Sequence, residues 1–600
     1  MRSKWKAFVA GIAALCMALP MVAFSGCGKS DPDTFEVWLS PNSGLLTCYT
    51  DLNENPVMQY IEYKFDIDLE FITAVSGSEA DQFNILTSGG DTPDVMELSS
   101  YTGSVIDLVE DGVAVDLTEY MYPEEGESLF PNYRALMERD GELNSLAQAL
   151  DGHYYAFYSM EDSDKMPWGG YIYRRDLILK YATAEDSFVL NGETIDPSQW
   201  ETGEDVIFPS GAKAPDLISD WDWMLAILYR GVEAGELDYC LSLYYPGYIE
   251  TGDMVSAWGT SAAWYKEEEN GKTVVRYGGT SDEFRHYIEK MNEWWEKGYI
   301  DEQFTTRTSD MFFDIDTSGY TRGRVGVMYG MNTSLGDMLS GREGAPETID
   351  FRACYMPRLS KDMEPQVFYL DSRVTRSWMV TTTALDKNYE KLFAALDFLY
   401  SEEGALMVRA GLNAEQYAEL LADGRTFWDA EVDITAEEQA AAGVDTEKAM
   451  LSEVGMYYWD ESVGKYRFWA DINTDLNHTS TEMAASAMSF WGLSASSKIE
   501  VLFINEADAE ARGEIWAAYS PTGNIDRSMQ GKLSSEDNSQ YVRNYNGLQE
   551  LMASEVADFV RGNTPLNDTT WAAFCDEQIL EGCNQNTAIM QKVFDALEGR

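Results

Sequence analysis

The period of the apolar positions switches repeatedly through the first hundred residues. Phe35, Val37, Trp38 and Leu39 read as a buried strand. Asn55 followed by Pro56 supplies a cap and a proline at the first helical position, and opens a helix over 57–64. Strand alternation over 67–73 follows, then a helix over 81–88 stopped by Gly89 and Gly90, then a strand over 94–98. Strand, helix, strand, helix, strand in this order predicts an α/β fold built on βαβ units. Residues 184–220 are polar and irregular and read as an insertion. Helical spacing returns over 221–234, 281–297, 388–400 and 402–410, the last ended by Gly411. Residues 412–480 have no clear period, and the chain closes on helical stretches over 548–561 and 570–597. No internal repeat is present.

The extreme N-terminus follows a different logic. Arg2, Lys4 and Lys6 precede an apolar run over 7–24, and Ser25-Gly26-Cys27 follows. A basic start, an apolar stretch and small residues before a cleavage point make a secretory signal. The cysteine at its end makes it a lipoprotein signal, with residues 1–26 removed, Cys27 lipidated and residues 27–33 a polar tether. No later apolar run is long enough to span a bilayer. The predicted location is outside the bacterial cell membrane, on a lipid anchor.

Charge narrows the partners. The chain carries a formal charge of -60, which repels nucleic acid, anionic lipid and polyanionic substrates and leaves neutral or cationic ligands as better candidates. The plainer reading, a solvated acidic surface, is favoured. Cys16 and Cys27 belong to the signal. Cys48, Cys240, Cys354, Cys575 and Cys583 remain, too few and too irregular for a disulfide framework, although Cys575 and Cys583 are close enough to pair. His153, His286 and His478 stand at no zinc spacing. Gly271-Lys272-Thr273 ends like a P-loop, but Lys266 occupies the position that needs the first glycine.

Six segments in order resemble the extracellular solute-binding proteins of ABC importers, in the lipoprotein branch that takes up carbohydrates. They are Ser88-Gly-Gly-Asp-Thr-Pro-Asp94, Asp151-Gly-His-Tyr-Tyr-Ala-Phe157, Tyr171-Ile-Tyr-Arg-Arg-Asp-Leu177, Thr321-Arg-Gly-Arg-Val-Gly-Val-Met328, Leu396-Asp-Phe-Leu-Tyr-Ser-Glu-Glu-Gly404, and Arg561-Gly-Asn-Thr-Pro-Leu566 with Trp571. The resemblance implies a two-lobed periplasmic-binding-protein-like fold of type II, a hinge between the lobes and additional C-terminal helices. It places residues 34–167 and about 372–415 in the N-terminal lobe, and 168–371 and about 416–600 in the C-terminal lobe. It implies a monomer with no catalysis and no required cofactor. The expected role is to capture an oligosaccharide and pass it to permease subunits served by a separate ATPase.

Sugars present apolar ring faces and a rim of hydroxyls, so a receptor needs flat aromatics and polar groups. Trp168, beside Pro167 and two glycines near the expected hinge, is one candidate; a packed hinge tryptophan is the equal alternative. Trp258 in Ser-Ala-Trp-Gly-Thr is another, weighed against a turn residue covering the core. Tyr329 ends a strand where ligands meet open α/β sheets. Asp94 could accept hydroxyls, but a structural turn role is favoured. Asp371, Arg373 and Trp378 lie around the return crossing, where an Asp and an Arg would bracket a hydroxyl or form a hinge ion pair. Asp471, Asn473, Asp475, Asn477 and Glu482 fall at calcium-loop spacing, with Leu476 where glycine is wanted. The competing and favoured reading is a capping box from Thr479 to Glu482. Two rival functions remain: a receptor for peptides or another small solute, to which the acidic charge would suit a cationic peptide, and a surface glycan-degrading enzyme, for which no carboxylate pair is singled out among 103 acidic residues.

Overall fold

The computed structural model describes residues 31–40, 52–75, 77–90, 92–101, 103–243, 254–306, 322–363, 372–425, 429–473, 490–518, 523 and 525–598. Cys27, Cys48 and Asp371 lie outside these, as do the signal segment and the residues after Asn473 in the calcium-loop spacing.

The first lobe forms as the apolar periods dictate. Strand β1 (Thr34–Leu39) is followed by helix α1 (Pro56–Phe65), whose cap Asn55 accepts the Val57 N–H at 3.0 Å. Then come β2 (Asp68–Thr73), α2 (Glu79–Gly89), β3 (Val95–Glu97), the short helix α3 (Val105–Glu110) and β4 (Phe157–Glu161). The chain enters the second lobe through β5 (Gly169–Arg174), α4 (Ile218–Glu233), β6 (Tyr239–Leu241), α5 (Asp282–Glu296), β7 (Val325–Met331) and β8 (Phe351–Ala353). It returns as β9 (Val374–Val380), α6 (Tyr389–Phe398), α7 (Glu402–Ala410) and, after small strands and helices, β10 (Gly492–Ser494). It then crosses again to three C-terminal helices: α8 (Ser535–Arg561), α9 (Asp568–Leu580) and α10 (Cys583–Glu598).

The first sheet has the order β10-β4-β9-β3-β1-β2, with β1 parallel to β2 and β3, and β9 running antiparallel between β3 and β4. The second sheet is β8-β5-β7-β6, with β5 antiparallel to both neighbours. Helices cover both faces of the first sheet. Phe35, Val37 and Leu39 enter the main core, while Trp38 and Met96 meet Phe83 of α2 on the opposite face.

The topology adds three details to these expectations. Strand β10, inside the span that the resemblance places in the C-terminal lobe, pairs in parallel with β4 of the first sheet. The insertion contains a short hairpin, Phe188–Leu190 with Glu193–Ile195, whose three-residue strands are too short to show a period. The last helical stretch is two helices, broken at Gly582, whose φ of +100° an L side chain adopts only with strain.

Candidate binding cleft

Three chain crossings join the lobes, and hydrogen bonds tie them together at the first-lobe end. The Glu161 N–H donates to Arg373 O at 2.8 Å, the Asp162 N–H to Ser494 O at 3.0 Å, and the Ser497 N–H to the Asp162 carboxylate at 2.8 Å. At the second-lobe end Asn332 donates to Trp168 O at 2.9 Å and Arg512 to Pro167 O at 3.1 Å. Gly170 admits the indole of Trp516 where any Cβ would collide with it.

Between the first lobe and the start of α8 lies a cavity of about 640 Å³. Small-molecule sites commonly occupy ~300–1,000 Å³. Five stretches of chain wall it. Leu98, Ser99, Tyr101 and Gly103 to Ile106 contribute the segment after β3 and the start of α3, and Leu146, Ala147 and Ala149 a helix end. Tyr155 and Tyr158 come from the approach to β4 and its first residues, Ser372 and Val374 to Ser377 from the start of β9, and Gln530 to Lys532, Asn538 and Val542 from the C-terminal segment. The aromatic surface is Tyr101, Tyr155 and Tyr158. Tyr101 is itself stacked on Phe83, ring centroids 5.0 Å apart and 28° between planes. The Tyr155 hydroxyl donates to Asp151 at 2.6 Å and the Tyr158 hydroxyl to Ala147 O at 3.3 Å. Burial raises the Tyr155 phenol, reinforced by Asp151, and pushes Tyr158 up to about 12. Both phenols therefore remain protonated at neutral pH and serve as neutral hydrogen-bonding groups.

A buried ion pair holds one end of this wall. Glu97 and Trp378 face each other across β3 and β9, and Arg376 lies one pleat along on the same face. The Glu97 carboxylate, 1% exposed, accepts from Arg376 Nε at 2.7 Å, the Ser40 N–H at 2.9 Å and the Ser99 hydroxyl at 2.5 Å. The guanidinium carbon of Arg376 sits 5.3 Å from the centre of the Trp378 ring. Charge, hydrogen bonds and stacking together fix where Arg376, Ser99 and Ser377 meet the cavity.

The residues singled out from sequence take other places. Trp378 is fully enclosed, stacked on Phe490 and edge-on to Trp491. Trp258 is 7% exposed and packs edge-on against Tyr287 of α5. Tyr329 packs edge-on against Tyr171. Asp94 is buried, accepts the Glu36 N–H and pairs with Lys387 at 2.7 Å, a structural role within the first lobe. Arg373 forms ion pairs at 2.8 Å with Asp140 and with Glu142, so it pins the hinge segment to the first lobe. Trp168 is 39% exposed beside the crossing but does not wall the cavity. Asp471 and Asn473 belong to the strand Asp471–Asn473, which pairs with Glu431–Asp433, and no cluster of three or more metal-ligating side chains occurs among the described residues.

The residues that do wall the cavity lie one to three positions from several of these: Ser372 between Asp371 and Arg373, Arg376 and Ser377 before Trp378. Glu97 directly after the apolar Val95 and Met96, with Arg376 on a strand that ends in Trp-Met-Val, was the available signal, since a buried charge needs a partner.

This fold is that of the two-lobed solute-binding proteins of ABC transporters. The Streptococcus pneumoniae ABC-transporter substrate binding protein FusA, solved in complex with kestose, superposes with a TM-score of 0.58 at 15% identity, covering 94% of this chain and 99% of its own. An HMO-binding, ABC-transporter-associated solute-binding protein from Bifidobacterium longum infantis gives 0.61 at 14% identity, covering 95% and 99%. The alginate-binding protein AlgQ2, solved without calcium, gives 0.55 at 15% identity, covering 94% and 98%. No family model and no curated protein sequence matches the chain.

Proposed function

We propose that the chain is a receptor, anchored outside the bacterial membrane through lipid on Cys27, that captures an oligosaccharide and delivers it to an ABC permease powered by a separate ATPase. It acts as a monomer and without catalysis. The cavity carries this reading. Its walls combine three tyrosine rings with hydroxyl and amide groups from Ser99, Ser104, Ser372, Thr375, Ser377, Gln530 and Asn538. Rings meet the apolar faces of a sugar, and neutral groups that both donate and accept meet its hydroxyls. Solved proteins of this fold that hold or are named for glycans add to the support.

The same walls weigh against the cationic-peptide alternative. The chain carries 103 acidic residues, yet none of the described residues walling the cavity is Asp or Glu. A cationic guest would need such carboxylates to replace its lost hydration.

Calorimetry with purified protein against kestose, HMOs, alginate oligosaccharides and lysine-rich peptides tests the proposal. Micromolar binding of at least one glycan, about 8 kcal/mol, with the glycan recovered intact, is the expected result. Binding only to peptides, or cleavage of the glycan, would overturn it. Melting in EDTA and again in calcium chloride decides between the two readings of residues 471–482: a calcium loop predicts a lower melting temperature in EDTA, and a capping box predicts no change.

A further inference from the structure

The C-terminal helices belong to the second lobe by packing: α8 lies against α5 and α10, and α10 against the strand Lys272–Tyr277. The N-terminal end of α8 nevertheless reaches the first lobe. The Ser535 hydroxyl donates to the Asp107 carboxylate of α3, and its oxygen accepts the Ser104 N–H at 3.0 Å. Lys532 donates to Gln148 O a few residues before. Ser104 and Lys532 both wall the cavity, from opposite lobes.

We propose that Ser535, with Asp107 and Ser104, is an interlobe clasp that positions the C-terminal wall of the cleft and sets how much of the protein occupies the closed state. Ser535 is not needed to start its own helix. The cap is Ser534, whose hydroxyl accepts the Asp537 N–H at 3.2 Å, and Ser535 is the first helical residue, where alanine is the better helix former. The sequence therefore spends a serine at a position where only the contact with the other lobe uses its hydroxyl. The Asp107 carboxylate also sits at the positive end of α8, which strengthens the contact. A ligand held by Tyr101 on one lobe and Gln530 or Asn538 on the other is held only while these walls face each other, so the clasp contributes to affinity without touching the ligand.

The test uses the full mature chain and needs no ligand for its first readout. Ser535→Ala should speed hydrogen exchange at the Ser104 amide and enlarge the radius of gyration in small-angle scattering, with far-UV circular dichroism unchanged. Ser535→Thr should restore both. Ser534→Ala, which weakens the helix start but leaves the clasp groups in place, should not open the lobes. Unchanged exchange and scattering in Ser535→Ala, or equal opening in Ser534→Ala, would overturn the proposal. Once a glycan is identified by calorimetry, Ser535→Ala should weaken its binding about tenfold. If no glycan binds, the carbohydrate reading fails while the exchange and scattering results still decide the clasp.

Discussion

Single side chains set how firmly the walls of this cavity stand. Arg376→Met leaves the Glu97 carboxylate buried with only Ser40 and Ser99 as partners. The loss of one member of a buried ion pair costs ~3–5 kcal/mol, so urea unfolding should show a drop of that size. A change under 1 kcal/mol would mean that Ser40 and Ser99 satisfy Glu97 by themselves. Arg373 offers a pH signature. Burial pushes the Asp140 carboxyl up, but the Arg373 guanidinium and the Leu143 N–H outweigh it and leave it below the ordinary carboxylate value. The unfolded chain then holds its proton more tightly than the folded one. The contribution of Asp140 is full above the unfolded value of ~3.9 and is lost as pH falls through the lower folded one. Stability of Arg373→Gln, followed from pH 7 downward, should therefore fall less steeply below about pH 4 than that of the parent protein. Parallel curves would exclude the pair as the source. At this scale sequence was a poor guide. A tryptophan's identity says nothing about whether its ring faces a ligand or a core, and Trp258 and Trp378 face cores because their strand and turn already lie inside a lobe.

Elements were more legible than residues, for identifiable reasons. The run from β1 to β3 follows the pattern because Asn55 caps α1, β1 and β3 carry near-continuous apolar runs, and β2, exposed at Asp68, Glu70 and Thr73, alternates. The first turns of α8, from Ser535 to Gly547, escaped the pattern because part of this stretch faces the cleft and carries polar groups rather than an apolar stripe. Strand β10 escaped because three residues show no period, and its partner β4 lies more than three hundred positions earlier. The break between α9 and α10 shows in the sequence only as Gly582. A Cβ there would meet the Asn544 amide, which donates to Gly582 O and to Asn586, and φ would remain at +100°. Gly582→Ala should lower stability by about 2 kcal/mol in chemical denaturation. Full retention of stability would show that α9 and α10 can merge into one helix without loss.

The full chain carries a formal charge of -60, and the acidic excess lies on two lobes joined by three crossings, so like charges push the lobes apart wherever water screens poorly. Raising the ionic strength from about 0.01 to 0.15 M shortens the screening length from ~30 to ~8 Å. The melting temperature should rise over that interval, and a fall would indicate that ion pairs such as Arg373–Asp140 outweigh the net repulsion. The two-lobed architecture was readable from six motifs in order, whereas the pairing of β10 with β4 was not, because a three-residue strand has no local signature. The position of β9 has a consequence for the order in which the molecule can come into being. This strand separates β3 from β4, yet it is made more than two hundred residues after β4. A chain growing from its N-terminus therefore holds two unjoined pieces of one sheet until the second-lobe elements from β5 to β8 have been synthesised. Any fragment ending before Val374 should remain incompletely folded, a state that suits the export proposed above on the strength of the signal segment.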